Sequence, residues 1–123
     1  MYYKDMEVWK ESIKLVTDIY KITETYPQSE LFGLTNQLRR SVISIPSNIA
    51  EGSVKHSDKE SLRFLDIALG SLAELDTQML ISQNLNFINN YDTIEQQISK
   101  VRALLIGLAK YYEKQLNDKN LVT

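Results

Sequence analysis

The chain offers carboxylates, ammonium and guanidinium groups, hydroxyls and amides, but a single histidine and no cysteine. Without cysteine there is no disulfide framework, thiolate nucleophile, iron–sulfur ligation or Cys-based zinc site. With His56 alone, His-rich metal sites and Glu-x-x-His di-iron pairs also fall away. The glycines at 33, 52, 70 and 107 never cluster, so no backbone loop cradles a phosphate. A hydrolase triad would need His56 beside one of the serines, and a solvated loop histidine is the simpler reading. Glu74 and Asp76 are two residues apart and do not share a helix face; Glu51 and Asp58 read as solvated acids. No catalytic residue, metal, cofactor or small-molecule substrate is therefore expected. An enzyme would have to build its pocket between subunits.

Charge distribution carries more than the net charge of −2. Residues 39–63 hold five basic groups against three acidic ones, whereas residues 64–99 hold five acids and no base. Arg39, Arg40, Lys55, His56, Lys59 and Arg63 form the candidate nucleic-acid or partner-binding set, because clustered cations attract phosphates with little sequence preference. Lys55, His56, Lys59 and Arg63 are expected together at one bundle end, with Arg39 and Arg40 more than a turn upstream of Pro46 and under no requirement to join that cluster. No aromatic lies between Arg39 and Arg63, which weakens a base-stacking reading. The competing arrangement pairs these cations with Glu51, Asp58, Glu60 or a neighbour's acidic third helix.

Helices must position these groups. Apolar residues recur at spacings of three and four, and the period predicts helices over roughly 5–25, 29–51, 57–84 and 92–116. The first helix carries two stripes about 120° apart: Met6, Trp9, Ile13, Val16, Tyr20, and Val8, Leu15, Ile19, Ile22, Tyr26. A wide core-facing surface would explain both stripes. Alternatively the second stripe, Val8 to Tyr26, is an oligomer interface, since a large apolar patch on a monomer usually binds something. The second helix is expected to begin near Ser29-Glu30, kink at Pro46 and end at Gly52 in a positive-φ cap, with a true break at Ile45-Pro46 as the alternative. Asn48 is assigned to a carbonyl freed near Pro46, with partner recognition as a second role for it, Gln37 and Glu51. Gly70, among small residues of the third helix, is expected to mark a tight crossing. Ser57 and Asp92 are read as N-caps, Leu85, Phe87 and Ile88 as an apolar plug, and residues beyond Gln115 as fraying.

Four glycines and two prolines in 123 residues leave too few turns for an all-β fold. One domain, an all-α antiparallel up-and-down four-helix bundle, is the expectation. The N-terminus lacks an apolar signal core, and the longest apolar run, Ala103 to Ile106, is far short of a membrane span, so a cytoplasmic protein without membrane contact is expected.

Two stretches carry a family resemblance. Gly33 to Arg40 followed by Ile45-Pro46-Ser47-Asn48-Ile49-Ala50-Glu51-Gly52, together with Arg63 to Leu75, resemble the bacterial family named for 23S ribosomal RNA intervening sequences. Trp9 and Tyr26-Pro27 with Glu30 fit the same pattern, and the family has also been labelled ribosomal. The resemblance implies four-helix bundles assembled as homopentamers. A related branch, the accessory variability determinants of diversity-generating retroelements, implies binding of nucleic acid and a reverse transcriptase. Arg39 and Arg40 match the family's Arg-Arg pair; Asn48, Glu51 and Gly52 match its Asn-Ile-Ala-Glu-Gly segment. The acidic balance here departs from the basic branch.

Together these readings describe a non-enzymatic homo-oligomeric scaffold that binds RNA or a nucleic-acid-processing protein. The alternative is a protein-interaction module with no nucleic-acid role.

Overall fold

The computed structural model describes residues 2–122. Four helices, α1 (Glu7–Thr23), α2 (Leu34–Ser53), α3 (Asp58–Asn84) and α4 (Tyr91–Val122), are joined by short connections, with single 3-10 turns at Tyr3–Asp5 and Gln28–Glu30. No strand occurs among the described residues. Each helix packs on its chain neighbours and α1 closes the ring on α4, while the diagonal pairs stay apart. This is the expected up-and-down four-helix bundle. Its core is one seam of Leu15, Ile19, Leu38, Val42, Ile45, Ile49, Leu65, Leu72, Leu75, Met79, Ile98 and Leu105, all essentially inaccessible to water. Burying each such side chain stabilises by about 1.5–3 kcal/mol before ordering entropy is set against it.

Both α1 stripes meet the core: Met6 of the first is buried and Trp9 and Val16 pack against it half-buried, leaving Ile13 exposed. Val8, Leu15, Ile19 and Tyr26 are buried in the chain's own core, and Ile22 packs against it half-buried. They are not a free interface. Two hydroxyl residues also lie on the buried face. Ser12 and Thr23 share the buried face and return their hydroxyls to Trp9 O and Ile19 O, each at 2.7 Å. With them included, Val8, Ser12, Leu15, Ile19 and Thr23 run unbroken at helical spacing.

Helix α2 starts later than expected. Gln28–Glu30 makes a 3-10 turn, and Glu30 then reaches over Gly33 so that its Oε2 accepts from the Leu34 N–H at 3.3 Å. A carboxylate at a helix start satisfies an orphan donor and complements the dipole. The helix then continues through a buried Pro46 to Ser53, without the break considered as an alternative. Asn48 Nδ2 donates to Ser44 O at 2.7 Å and to Ser44 Oγ at 2.9 Å, within the turn that contains Pro46.

The glycines trade places. Gly52 is not a left-handed cap, since no glycine has positive φ. It is the tight crossing: a Cβ there would lie 3.2 Å from both Phe64 Cβ and Ser61 O, and its carbonyl accepts from Ser61 Oγ at 2.7 Å. Gly70, expected at the crossing, faces outward, and a Cβ would meet nothing within 4 Å.

Ser57 caps α3 by accepting from the Glu60 N–H at 3.1 Å, but the Glu60 carboxylate turns to Arg63 instead of closing the box. At α4 the cap is Asn90, whose Oδ1 accepts from the Asp92 N–H at 2.9 Å; Asp92 lies inside the helix. Of the intended plug, Phe87 and Ile88 pack on the core while Leu85 is exposed, next to Asn86 with φ 62°. α4 remains helical beyond Gln115, where Lys119 Nζ lies 2.5 Å from Asp58 Oδ2 and ties its end to the start of α3.

Candidate interaction surfaces

The bundle divides the six cations, with Arg39 and Arg40 in mid α2 and the other four at the α2–α3 connection and the start of α3. Arg39 turns inward: its Nε donates to Thr23 Oγ1 at 3.0 Å, and its guanidinium lies 4.6 Å from the Tyr20 ring centroid. It straps α2 to α1 through one of its five N–H donors. Arg40, one residue on, points away from α1 into a slot between α2 and α3. Thirteen helical residues separate Arg40 from Ser53, the last residue of α2, about 20 Å at 1.5 Å per residue, and Lys55 lies beyond it.

Lys55, His56, Lys59 and Arg63 do share the α2–α3 connection. There Lys55 pairs with Glu51 at 3.3 Å and Arg63 with Glu60 at 3.2 Å, so two of the four are partly neutralised by their own helix turns. Exposed pairs of this kind are worth little in stability, about 0–1 kcal/mol, but they lower the local positive potential. His56 and Lys59 are exposed, with no ion pair among the described residues. The aromatic thought to be missing stands one residue beyond the basic segment. Phe64 is flanked by Lys55 Nζ at 4.8 Å and Arg63 Cζ at 4.5 Å from its ring centroid. Only helical spacing between α2 and α3 brings these three together.

A second surface is apolar. Tyr3, Trp9, Ile13, Val16, Ile43, Pro46, Ser47 and Ala50 line a groove of about 360 Å³ between α1 and α2. Ile13 and Ile43 are 38% and 43% exposed there. Trp9, Ile13 and Val16 belong to the first stripe of α1, whose outer edge lies open along this groove.

The third is polar. Phe32, Asn36, Gln37, Arg40, Ser41, Ser44, Ser71, Glu74 and Gln78 line a slot of about 470 Å³ between α2 and α3. Its floor is tied across the helices by Ser41 Oγ to Gln78 Oε1 at 3.0 Å and Ser71 Oγ to Ser44 Oγ at 2.8 Å. Another cavity, of about 450 Å³, opens where α1, the α3–α4 connection and α4 meet, with Ile22, Phe87 and Ile88 in its wall and Gln97 donating to Asp18 on its rim at 2.7 Å.

At that end Tyr91 donates its hydroxyl to Asp76, and Arg102 holds the other oxygen of the same carboxylate at 3.3 Å. Burial, the hydrogen bond to Asp76 and the nearby Asp76 and Glu95 charges all push the Tyr91 phenol far above its ordinary value, against a smaller opposing pull from Arg102. Its backbone N–H donates to Gln83 Oε1 at 2.8 Å. The cluster latches α4 to α3. It was missed in sequence because its members lie 15 and 26 residues apart with no motif between them.

No group of acids and histidine able to hold a metal occurs among the described residues, and no described helix is long and apolar enough to cross a membrane. Fold and surfaces together define a small antiparallel helical bundle with exposed faces between its helices. The chain belongs to the 23S rRNA-intervening sequence protein family, whose model matches residues 4–107. It is similar in structure to a protein with unknown function from the S23 ribosomal protein family of Bacteroides thetaiotaomicron VPI-5482. The TM-score is 0.78 at 23% identity, with 89% of this chain and 99% of that chain covered, a likeness that bears on the fold. No curated protein matches the chain.

Proposed function

We propose that this chain is a non-enzymatic helical scaffold that assembles with copies of itself. The observation that carries the reading is the α1–α2 groove, where exposed Ile13 and Ile43 share a mostly apolar lining with Trp9, Val16, Pro46 and Ala50. Apolar surface gathered in a groove and rimmed by polar residues marks an association site more often than a solvated face does. The subunit number of five is what the family resemblance implies. Native mass tests this directly. The wild type is expected at a multiple of 14.2 kDa and Ile43→Asp at a single chain mass. A wild type that stays a single chain at micromolar concentration overturns the reading.

A second reading is favoured by Phe64 between Lys55 and Arg63, with His56 and Lys59 unpaired beside them. Cations stacked on an aromatic, repeated around an assembly, suit RNA or a nucleic-acid-handling partner despite the acidic net charge. Affinity for a structured RNA is expected to fall with salt, and Lys59→Ala to reduce the slope of log K against log salt by about one unit. Binding that ignores salt, or its absence at low salt, removes the nucleic-acid role and leaves the interaction module.

A further inference from the structure

The seam between α2 and α3 is the most closely packed in the bundle, yet its outer edge is made of serines and amides. Serine, glutamine and arginine lining a helix seam forgo the apolar burial that leucine would supply there, so the polarity calls for a reason. Its floor is self-satisfied through the serine and glutamine bonds already described. What points out of it is not. Arg40 and Glu74 face the same slot from opposite helices and form no ion pair with each other or with any described residue. Gln78 uses its Oε1 to accept from Ser41, which leaves its Nε2 donor facing the slot, and the amides of Asn36 and Gln37 lie beside it. At the mouth stands Phe32, 90% exposed and the most exposed large apolar side chain described.

A ring that stands in water above a row of donors and acceptors fits a planar ligand with a polar edge. We propose that the α2–α3 slot binds a single unpaired nucleobase, and that the base is guanine. Phe32 supplies the stacking face, a contact that every base can make. Glu74 supplies the preference. Guanine presents two adjacent donors, N1–H and the N2 amino group, which one carboxylate accepts together. Adenine presents an unprotonated ring nitrogen at the same place and meets the carboxylate with repulsion. Arg40 donates to O6 and N7, the pairing that makes arginine the usual reader of guanine. A slot of about 470 Å³ falls within the range of small-ligand sites. The inference goes beyond the basic-end reading and does not rest on it, since Lys55, His56, Lys59 and Arg63 take no part.

The test is titration of the full chain with GMP, AMP, CMP, UMP and ribose 5-phosphate, followed by the side-chain amide NMR signals of Gln37 and Gln78. GMP is expected to shift both signals, with affinity at least tenfold above AMP. Glu74→Gln is expected to bring GMP down to the AMP level. Phe32→Ala, at a position that buries almost nothing, is expected to weaken every base about tenfold with an unchanged helical spectrum. Two arms separate the source of the base. A single-stranded RNA with one guanine that binds more tightly than GMP assigns the slot to RNA, and equal affinity assigns it to free nucleotide. Ribose 5-phosphate shifting the amides as strongly as GMP, no shift at millimolar nucleotide, or a loss of native mass in Phe32→Ala each overturns the proposal. The last outcome would make the slot a contact between copies. Failure here with RNA binding intact at Lys59 leaves the basic-end reading standing.

Discussion

Helix α2 meets its two neighbours in opposite ways. Against α3 it uses small and hydroxylic residues: Gly52 lets the backbones close, Ser61 bonds across to Gly52 O, and Ser41 and Ser44 bond across to Gln78 and Ser71. Against α1 its outer edge is mostly apolar, with Ile43, Pro46 and Ala50 facing Trp9, Ile13 and Val16 across an open groove, and Arg39 to Thr23 is the polar tie described there. Close approach needs small side chains, and the polar atoms that come with them must find partners across the seam. Bulky side chains fill the core but cannot seal its outer edge. The same helix therefore offers a polar, specific edge on one side and an apolar, adhesive one on the other.

The comparison breaks most visibly at α1. Leu15→Ala removes a side chain with no exposure and is expected to cost about 3 kcal/mol, read from urea unfolding. Ile13→Asp, two residues away on the groove side, is expected to cost less than half of that when read in the Ile43→Asp single chain, where loss of assembly does not enter. Equal losses would mean that the groove is part of the core and that the two flanks of α2 do not differ.

Two glycines sharpen it next. Gly52→Ala puts a methyl 3.2 Å from Phe64 Cβ and from a backbone oxygen that cannot yield, and the expected loss is about 2 kcal/mol. Gly70→Ala meets nothing, and relief of backbone entropy in mid-helix is expected to raise stability by about 1 kcal/mol. A gain at both positions would show that α2 and α3 are not closely apposed at Gly52.

The bundle was legible in the sequence wherever one period decided the matter: α2, α3 and α4 bury the stripes that their spacing marks. Ser57 was legible as a cap because its partner is three residues away. What was not legible depends on a choice between equivalent faces or on partners in other helices. Both stripes of α1 have helical spacing, and spacing alone does not tell that Leu15 and Ile19 reach the centre while Ile13 stays at the edge. Small residues near Gly70 and Gly52 signal close approach equally well, but orientation about the helix axis puts only Gly52 in the seam. Arg39 and Arg40 are adjacent in sequence, and a rotation of 100° sends one to Thr23 on α1 and the other to the α3 side. The slot joins Phe32, Arg40 and Glu74 across two helices, a juxtaposition that no local pattern encodes.

The third flank, α3 against α4, is neither seam nor groove but a titratable latch, and its expected effect is the smallest. Tyr91 donates to Asp76, and its phenol holds its proton more tightly folded than unfolded, because burial and the two nearby carboxylates oppose a phenolate. Burial acts in the same direction on Tyr26 and Tyr112. A folded-state value above the unfolded one, which is about 10, contributes stability that is fully present below that pH and is lost as the pH rises toward the folded value. The urea midpoint is therefore expected to be flat between about pH 7 and 9 and to fall above about 10. Tyr91→Phe is expected to lower the midpoint at neutral pH, through the lost bond to Asp76, and to flatten the alkaline fall. An alkaline limb as steep in Tyr91→Phe as in the wild type would remove Tyr91 from the latch and leave Arg102 to hold Asp76 alone.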